Sequence, residues 1–190
     1  MAKALSRLEQ AFLIGVEGVT EVCLVRHGEA EPSPGAGADP SLSPRGEEQA
    51  LRLSQRLTNR HIDAVSSSPL RRARQTAQAL SPAARSDARL VEAQVRVRGG
   101  RLEQLEPAAE VVARMEAAVV EAVAAHPGGK IVVVTHGLAI LHYLEHVLEL
   151  EPGGFRFFPQ CASISVVRFR GSRRMVGPLG DVAHLEGVGR

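Results

Sequence analysis

Tryptophan is absent, tyrosine occurs once and phenylalanine five times, so aromatics make up 3% of the 190-residue chain. Aliphatic side chains and alanine must therefore fill the interior, drawn from the 44% of residues that are hydrophobic. Cysteine is also scarce. Cys23 and Cys161 stand far apart, with no C-x-x-C and no metal-type spacing, which argues against a disulfide framework. Cys23 lies inside an apolar run and reads as a buried free thiol, in keeping with a reducing cytoplasm. Long apolar runs are missing at the N-terminus, where Ala11–Val16 is too short for a signal h-region or a membrane span. An excess of one charge is missing too. The formal net charge is +2, and arginines are dispersed among acids, so neither nucleic acid nor membrane has an electrostatic footprint to bind.

What is present is an alternation of strand-like and helix-like segments in one domain of sizeable length. Residues 1–20 read as an N-terminal extension in which Leu5, Leu8 and Phe12 recur at helical spacing, a short helix that packs on its own domain or pairs two copies into a homodimer. Residues 21–190 read as one domain. "CLVRHGEA" runs from apolar to polar at residues 23–30. A Pro/Gly-rich loop spans 32–40, a helix opened by Ser43 and Pro44 follows to residue 60, and 62–66 suits a strand. After "SSP" a helix begins near Pro69, and 89–97 alternates in the manner of a strand. Val111, Val112, Met115, Val119 and Val123 mark a helix ending at "HPGG". "KIVVVTHG" then reads as a strand buried on both faces. "LAILHYLEHVLEL" is helical, and "ASISVVRF" and "RRMVGPL" are strands. The alternation predicts an α/β fold: a three-layer α/β/α sandwich with a mostly parallel central sheet.

In such folds ligands gather beyond the carboxyl ends of the strands. Arg26 and His27 fall at the end of one strand, and His136 and Gly137 at the end of another, so two histidines from distant segments are expected at one rim. Arg26 brings a planar fork of donors matched to phosphate or carboxylate. Arg71, Arg72 and Arg74 open the helix after "SSP", whose N-terminus adds N–H groups and the positive end of its dipole. Together these describe an anion site. An imidazole there is a nucleophile near neutral pH, and its attack on phosphorus gives a phosphohistidine. The surrounding cations then stabilise the charge on the transferring group. His142 and His146 are four apart on a helix, a spacing that can bind metal; no third ligand stands in pattern, and no metal or cofactor is expected.

"LVRHGEA", "SSPLRRARQTA" and "VTHG", in that order, resemble the motifs of the histidine phosphatase superfamily, the phosphoglycerate mutase-like family. "LSPRGEEQA", "CASISVV" and "GDVAHLEG" extend the resemblance over roughly residues 21–187. It implies that His27 is the histidine that becomes phosphorylated, that Arg26 and Arg72 bind the phosphate, and that His136 donates to the transferring group. Ser33 falls where many members carry an asparagine that binds phosphate. The family's proton-donating glutamate matches Glu92, with Glu103 and Glu106 as alternatives, because "AQVRVRGGRLEQLEP" departs from the usual pattern. "HGLAILHYL" also lacks the arginine that many members carry after H-G. The implied activity is metal-independent phosphomonoester hydrolysis on a small phosphorylated metabolite in the cytoplasm. A phosphoglycerate mutase, a phosphohistidine-protein phosphatase and a binding module that has lost activity stand as alternatives.

Overall fold

Strand β1 (Thr20–Arg26) points Val22 and Leu24 to one side and Cys23 and Val25 to the other, and all four are buried. A strand apolar on both faces must be covered on both, and that requirement shapes the molecule. The computed structural model describes residue 7, residues 10–32 and residues 38–187. Among these, helix α1 (Pro44–Thr58) is followed by β2 (Ala64–Ser67), α2 (Arg71–Leu80) and β3 (Arg85–Ser86). The chain continues through β4 (Val95–Arg98), β5 (Arg101–Gln104), α3 (Ala108–Ala125), β6 (Lys130–Thr135) and α4 (Gly137–Val147), and closes with β7 (Ile164–Arg170) and β8 (Arg173–Val176).

Six strands form one sheet in the order β3-β2-β6-β1-β7-β8. β3, β2, β6 and β1 run parallel, while β7 and β8 are antiparallel additions at one edge. Helices α3 and α4 cover one face over Val22, Leu24, Ile131, Val133 and Val167, with Met115, Ile140 and Tyr143 in the same cluster. Helices α1 and α2 cover the other, where Leu53, Leu57, Ala73 and Ala77 meet Cys23, Val25, Val132 and Val134. This is the three-layer α/β/α sandwich, filled mainly by aliphatic residues. None of its described helices is long and apolar enough to cross a membrane.

The expected strand over 89–97 is a correction. Residues Ala88–Leu90 form a 3-10 turn, the chain stays irregular to Gln94, and only Val95–Arg98 is strand. Arg114 on α3 explains the irregular part, because its guanidinium donates to the carbonyls of Arg89 (2.8 Å) and Val91 (2.6 Å) and takes them out of any ladder. β4 pairs with β5 in a separate two-stranded sheet, joined by Gly99 and Gly100 at φ 57° and 74°. Two consecutive positive φ values make a tight turn suited to the twist of a hairpin, and glycine takes them without steric cost. The N-terminal helix expected on Leu5 and Leu8 falls on residues outside the described ones. Within the described part, Leu13 is buried against the domain.

Candidate active site

Parallel register brings three strand ends to one level. Arg26 pairs with Thr135 across β1 and β6, and Ser67 of β2 pairs with Val134. The next residues, His27, His136 and Ser68, therefore emerge side by side. The His27 and His136 ring centroids are 5.0 Å apart. Arg72, from the first turn of α2, reaches both: its Nε donates to His27 Nε2 at 3.1 Å and an Nη to His136 Nδ1 at 3.3 Å.

These bonds settle the ring tautomers. A guanidinium only donates, so His27 Nε2 and His136 Nδ1 are acceptors whose lone pairs face Arg72. The protons then sit on the opposite nitrogens. His27 Nδ1 donates to the Gly28 carbonyl at 2.6 Å, and His136 Nε2 donates to Ser68 Oγ at 2.8 Å. Both rings are buried, and burial is the main cause that holds His27 down to about 3 and His136 well below the ordinary imidazole value. The positive charges of Arg72 and Arg26 push both in the same direction. Two neutral imidazoles against cationic guanidiniums make a cluster whose positive charge favours an anion.

Arg26 lies beside the pair. Its Nη1 donates to the Pro159 carbonyl at 2.8 Å, its guanidinium carbon stands 4.9 Å from the centre of the Phe158 ring, and its Nε is buried without a partner among the described residues. Glu92 sits at the start of α4. Its Oε1 accepts from the N–H groups of Ala93 (2.9 Å) and Ala139 (3.0 Å), and its Oε2 has only a 3.4 Å contact to Leu138 N–H. Oε2 is thus the oxygen with the weaker contact. Glu103 and Glu106 are engaged elsewhere. Glu103 pairs with Arg96 across the β4–β5 hairpin at 2.6 Å, and Glu106 takes a two-pronged bond from Arg114 at 2.7 and 3.0 Å, which lowers its carboxyl below the ordinary range. Arg71 and Arg74 are exposed. Ser33 lies outside the described residues.

The supporting contacts were harder to read from the sequence. Thr76 accepts from Gly28 N–H at 3.0 Å and donates to the Arg72 carbonyl at 2.8 Å, tying the R-H-G turn to α2. Its signal was present, since it lies four residues after Arg72 and so on the same helix face. Gln49 accepts from Glu29 N–H at 2.8 Å and fixes the same turn from α1. Asp39 accepts twice from Arg71 N–H, at 2.8 and 3.0 Å, and stands 3.8 Å from an Arg72 nitrogen. The first N–H of α2, expected to face the anion, is therefore occupied by a carboxylate from a distant loop. His142, one of the pair at metal spacing, uses its ring nitrogens on Glu145 (3.1 Å) and Gln104 (2.9 Å). Among the described residues no group of three or more His, Cys, Asp or Glu side chains is arranged to hold a metal ion.

Fold and cluster together define a class: three-layer α/β/α proteins that gather two imidazoles and arginines beyond the carboxyl ends of parallel strands. The family model for the histidine phosphatase superfamily (branch 1) matches residues 22–105 and 83–181, and the chain belongs to that family. Phosphoserine phosphatase 1 of Hydrogenobacter thermophilus is 43% identical over 63 residues, which span 31% of this chain and 30% of that relative. Among solved structures, the phosphoserine phosphatase of Entamoeba histolytica in complex with 3-phosphoglyceric acid matches with a TM-score of 0.76 at 22% identity, over 87% of this chain and 99% of that one. Bacillus stearothermophilus YhfR gives 0.75 at 21%, over 87% and 99%. The mycobacterial glucosyl-3-phosphoglycerate phosphatase in complex with inorganic phosphate gives 0.71 at 23%, over 86% and 98%. At these identities the structural likeness is one of fold.

Proposed function

We propose that the protein hydrolyses phosphate monoesters of small metabolites through a phosphohistidine on His27. One observation carries the reading: Arg72 bonds to the acceptor nitrogens of both His27 and His136, so a single guanidinium stands against two imidazole lone pairs and offers an anion its charge beside the nitrogen that would attack. A phosphoryl group entering there takes over the guanidinium and leaves His27 Nε2 free to attack phosphorus. The Gly28 carbonyl on Nδ1 stabilises the positive charge that develops on the ring. The new N–P bond forms as the ester P–O bond breaks, and the leaving oxygen takes the proton of the Glu92 carboxyl. Water then attacks phosphorus, the N–P bond breaks, and the water's proton passes to the Glu92 carboxylate. Arg26 and Arg72 balance the charge on the equatorial oxygens throughout, so no step calls for a metal.

The family membership and the names of the relatives support this reading, since each named phosphatase acts on a phosphorylated small molecule by its own description. We assign the protein to the cytoplasm, where its two thiols stay reduced, Cys23 buried and Cys161 half-buried. The half-exposed Phe12 and Ile14 mark the face on which a homodimer would form.

The test is a rapid quench with a radiolabelled monoester in the presence of a chelator. We expect an acid-labile, alkali-stable label on the wild-type protein and none on His27→Ala, with turnover lowered by at least about a thousandfold. Full turnover by that variant removes the nucleophile assignment. Interconversion of phosphoglycerates faster than phosphate release would favour a mutase.

A further inference from the structure

We propose that Phe158 determines specificity: its ring is the wall on which the organic group of the substrate stacks where it leaves the phosphate hollow, so that the protein selects monoesters of alcohols with a flat apolar face. The inference rests on the monoesterase reading above. Its basis is position. The Phe158 ring centre is 4.9 Å from the Arg26 guanidinium carbon, and its tip would stand 2.5 Å from a Cβ placed on Gly137. Arg26 precedes His27 and Gly137 follows His136, so the ring is lodged between the two chain segments that deliver the imidazoles. Glycine at 137 leaves the space the ring uses.

The ring is also out of keeping with its neighbours. Phe155 and Phe157 stack with centres 5.3 Å apart and pack against the core cluster of α3 and α4. Phe158, next in the chain, is not part of that cluster and is 54% exposed. It does not owe that position to a loose segment. The buried Glu145 carboxylate accepts from Gly153 N–H at 2.7 Å, the two stacked rings anchor the middle, and the Pro159 carbonyl grips Arg26. A fixed aromatic face with one side in water is a surface prepared for a partner. What enters the hollow behind it is phosphate, so the group that meets the ring is the one esterified to that phosphate. A ring C–H edge, a nucleobase or an aryl group gains from the contact, and a short charged acid does not.

Calorimetry with 1-naphthylmethylphosphonate, which cannot be hydrolysed, reads the contact, and inorganic phosphate reads the hollow alone. Wild type, Phe158→Ala and Phe158→Trp are compared. We expect Phe158→Ala to weaken the naphthyl ligand about fivefold more than it weakens inorganic phosphate, and Phe158→Trp to keep the preference. Equal weakening of both ligands would mean that the ring acts only through Arg26 and would overturn the proposal, as would a wild type that binds the naphthyl compound no tighter than methylphosphonate. Binding needs no turnover, so failure to hydrolyse any monoester would remove the proposed activity alone, while intact hydrolysis with an unchanged ligand preference would remove only the role of Phe158.

Discussion

Glu92 uses one oxygen for two short backbone bonds and leaves the other almost unused. Such a division suits a group that is held in place by one atom and moves a proton with the other. Glutamine at this position keeps the accepting oxygen and loses the proton. Its effect therefore depends on the leaving group. For an alkyl phosphate, whose alkoxide needs protonation, Glu92→Gln is expected to lower kcat/KM about a hundredfold, the scale of general-acid catalysis. For p-nitrophenyl phosphate, whose leaving group departs unprotonated, the loss is expected to stay within about tenfold. Equal losses on both substrates would assign Glu92 to capping α4 and nothing more. Sequence reading named Arg26, His27, Arg72 and His136, which the structure brings together, because each sits within a few residues of a strand end or helix start that periodicity reveals. It placed Glu92 first and kept Glu103 and Glu106 as alternatives, since what separates the three lies in partners: Arg96 and Arg114 occupy the other two. Asp39 and Phe158 left no local mark, because their importance comes from residues over thirty positions away.

Between residues and the whole, α1 gives one segment of the family resemblance its structural reason. "LSPRGEEQA" starts a helix through Ser43, whose hydroxyl accepts from Gly46 N–H at 3.1 Å, and Pro44, which needs no N–H there. Gly46 has another task. A Cβ at that position would lie 1.9 Å from the Glu29 carbonyl oxygen, and one at Gly28 would lie 2.6 Å from the Gly46 carbonyl oxygen. The R-H-G turn and the first turn of α1 touch backbone to backbone, and this contact places His27. Gly46→Ala must push the turn away. We expect it to destabilise the fold by about 1–3 kcal/mol, the range for overpacking, and to lower kcat well below what partial unfolding accounts for. A chemical denaturation curve beside the kinetics separates the two, and unchanged values in both would show that the turns part without cost. Element types were legible wherever hydrophobic periodicity was long, as in α3 and β6. The β4–β5 hairpin was missed although "RVRGGRLE" carries its sign, two glycines between alternating runs, because the preceding "RLVEA" alternates too and is held irregular by Arg114. β3, two residues long, pairs only through β2 and has no pattern of its own.

At the scale of the molecule, the sheet and its helices keep two imidazoles neutral in a place where water would let them titrate. That has a cost which depends on pH. A histidine whose folded value lies below its unfolded value binds protons better after unfolding, so it takes stability away as pH falls. His27 drops from 6.5 to about 3, and His136 and His184 shift the same way, each chiefly through burial. Their contribution is fully retained above about pH 6.5 and is lost as pH falls from there toward the folded values. Carboxylates act in a second, lower window. Asp87, Glu106 and Asp181 are held below their ordinary values, the first two mainly by arginine bonds and Asp181 mainly by the Ala183 N–H. Stability tied to them is present above about pH 4 and lost as they protonate. Denaturant midpoints are therefore expected to stay level from pH 8 to 7, to fall from pH 6.5 downward, and to fall faster below pH 4.5. The double variant His27→Asn, His136→Asn should shrink the upper window to what His184 contributes and leave the lower one, while Glu106→Gln should shrink only the lower one. A wild-type midpoint that holds level from pH 7 to 5 would mean that both rings charge freely in place, and the neutral lone pairs on which His27 depends would no longer be a property of the fold.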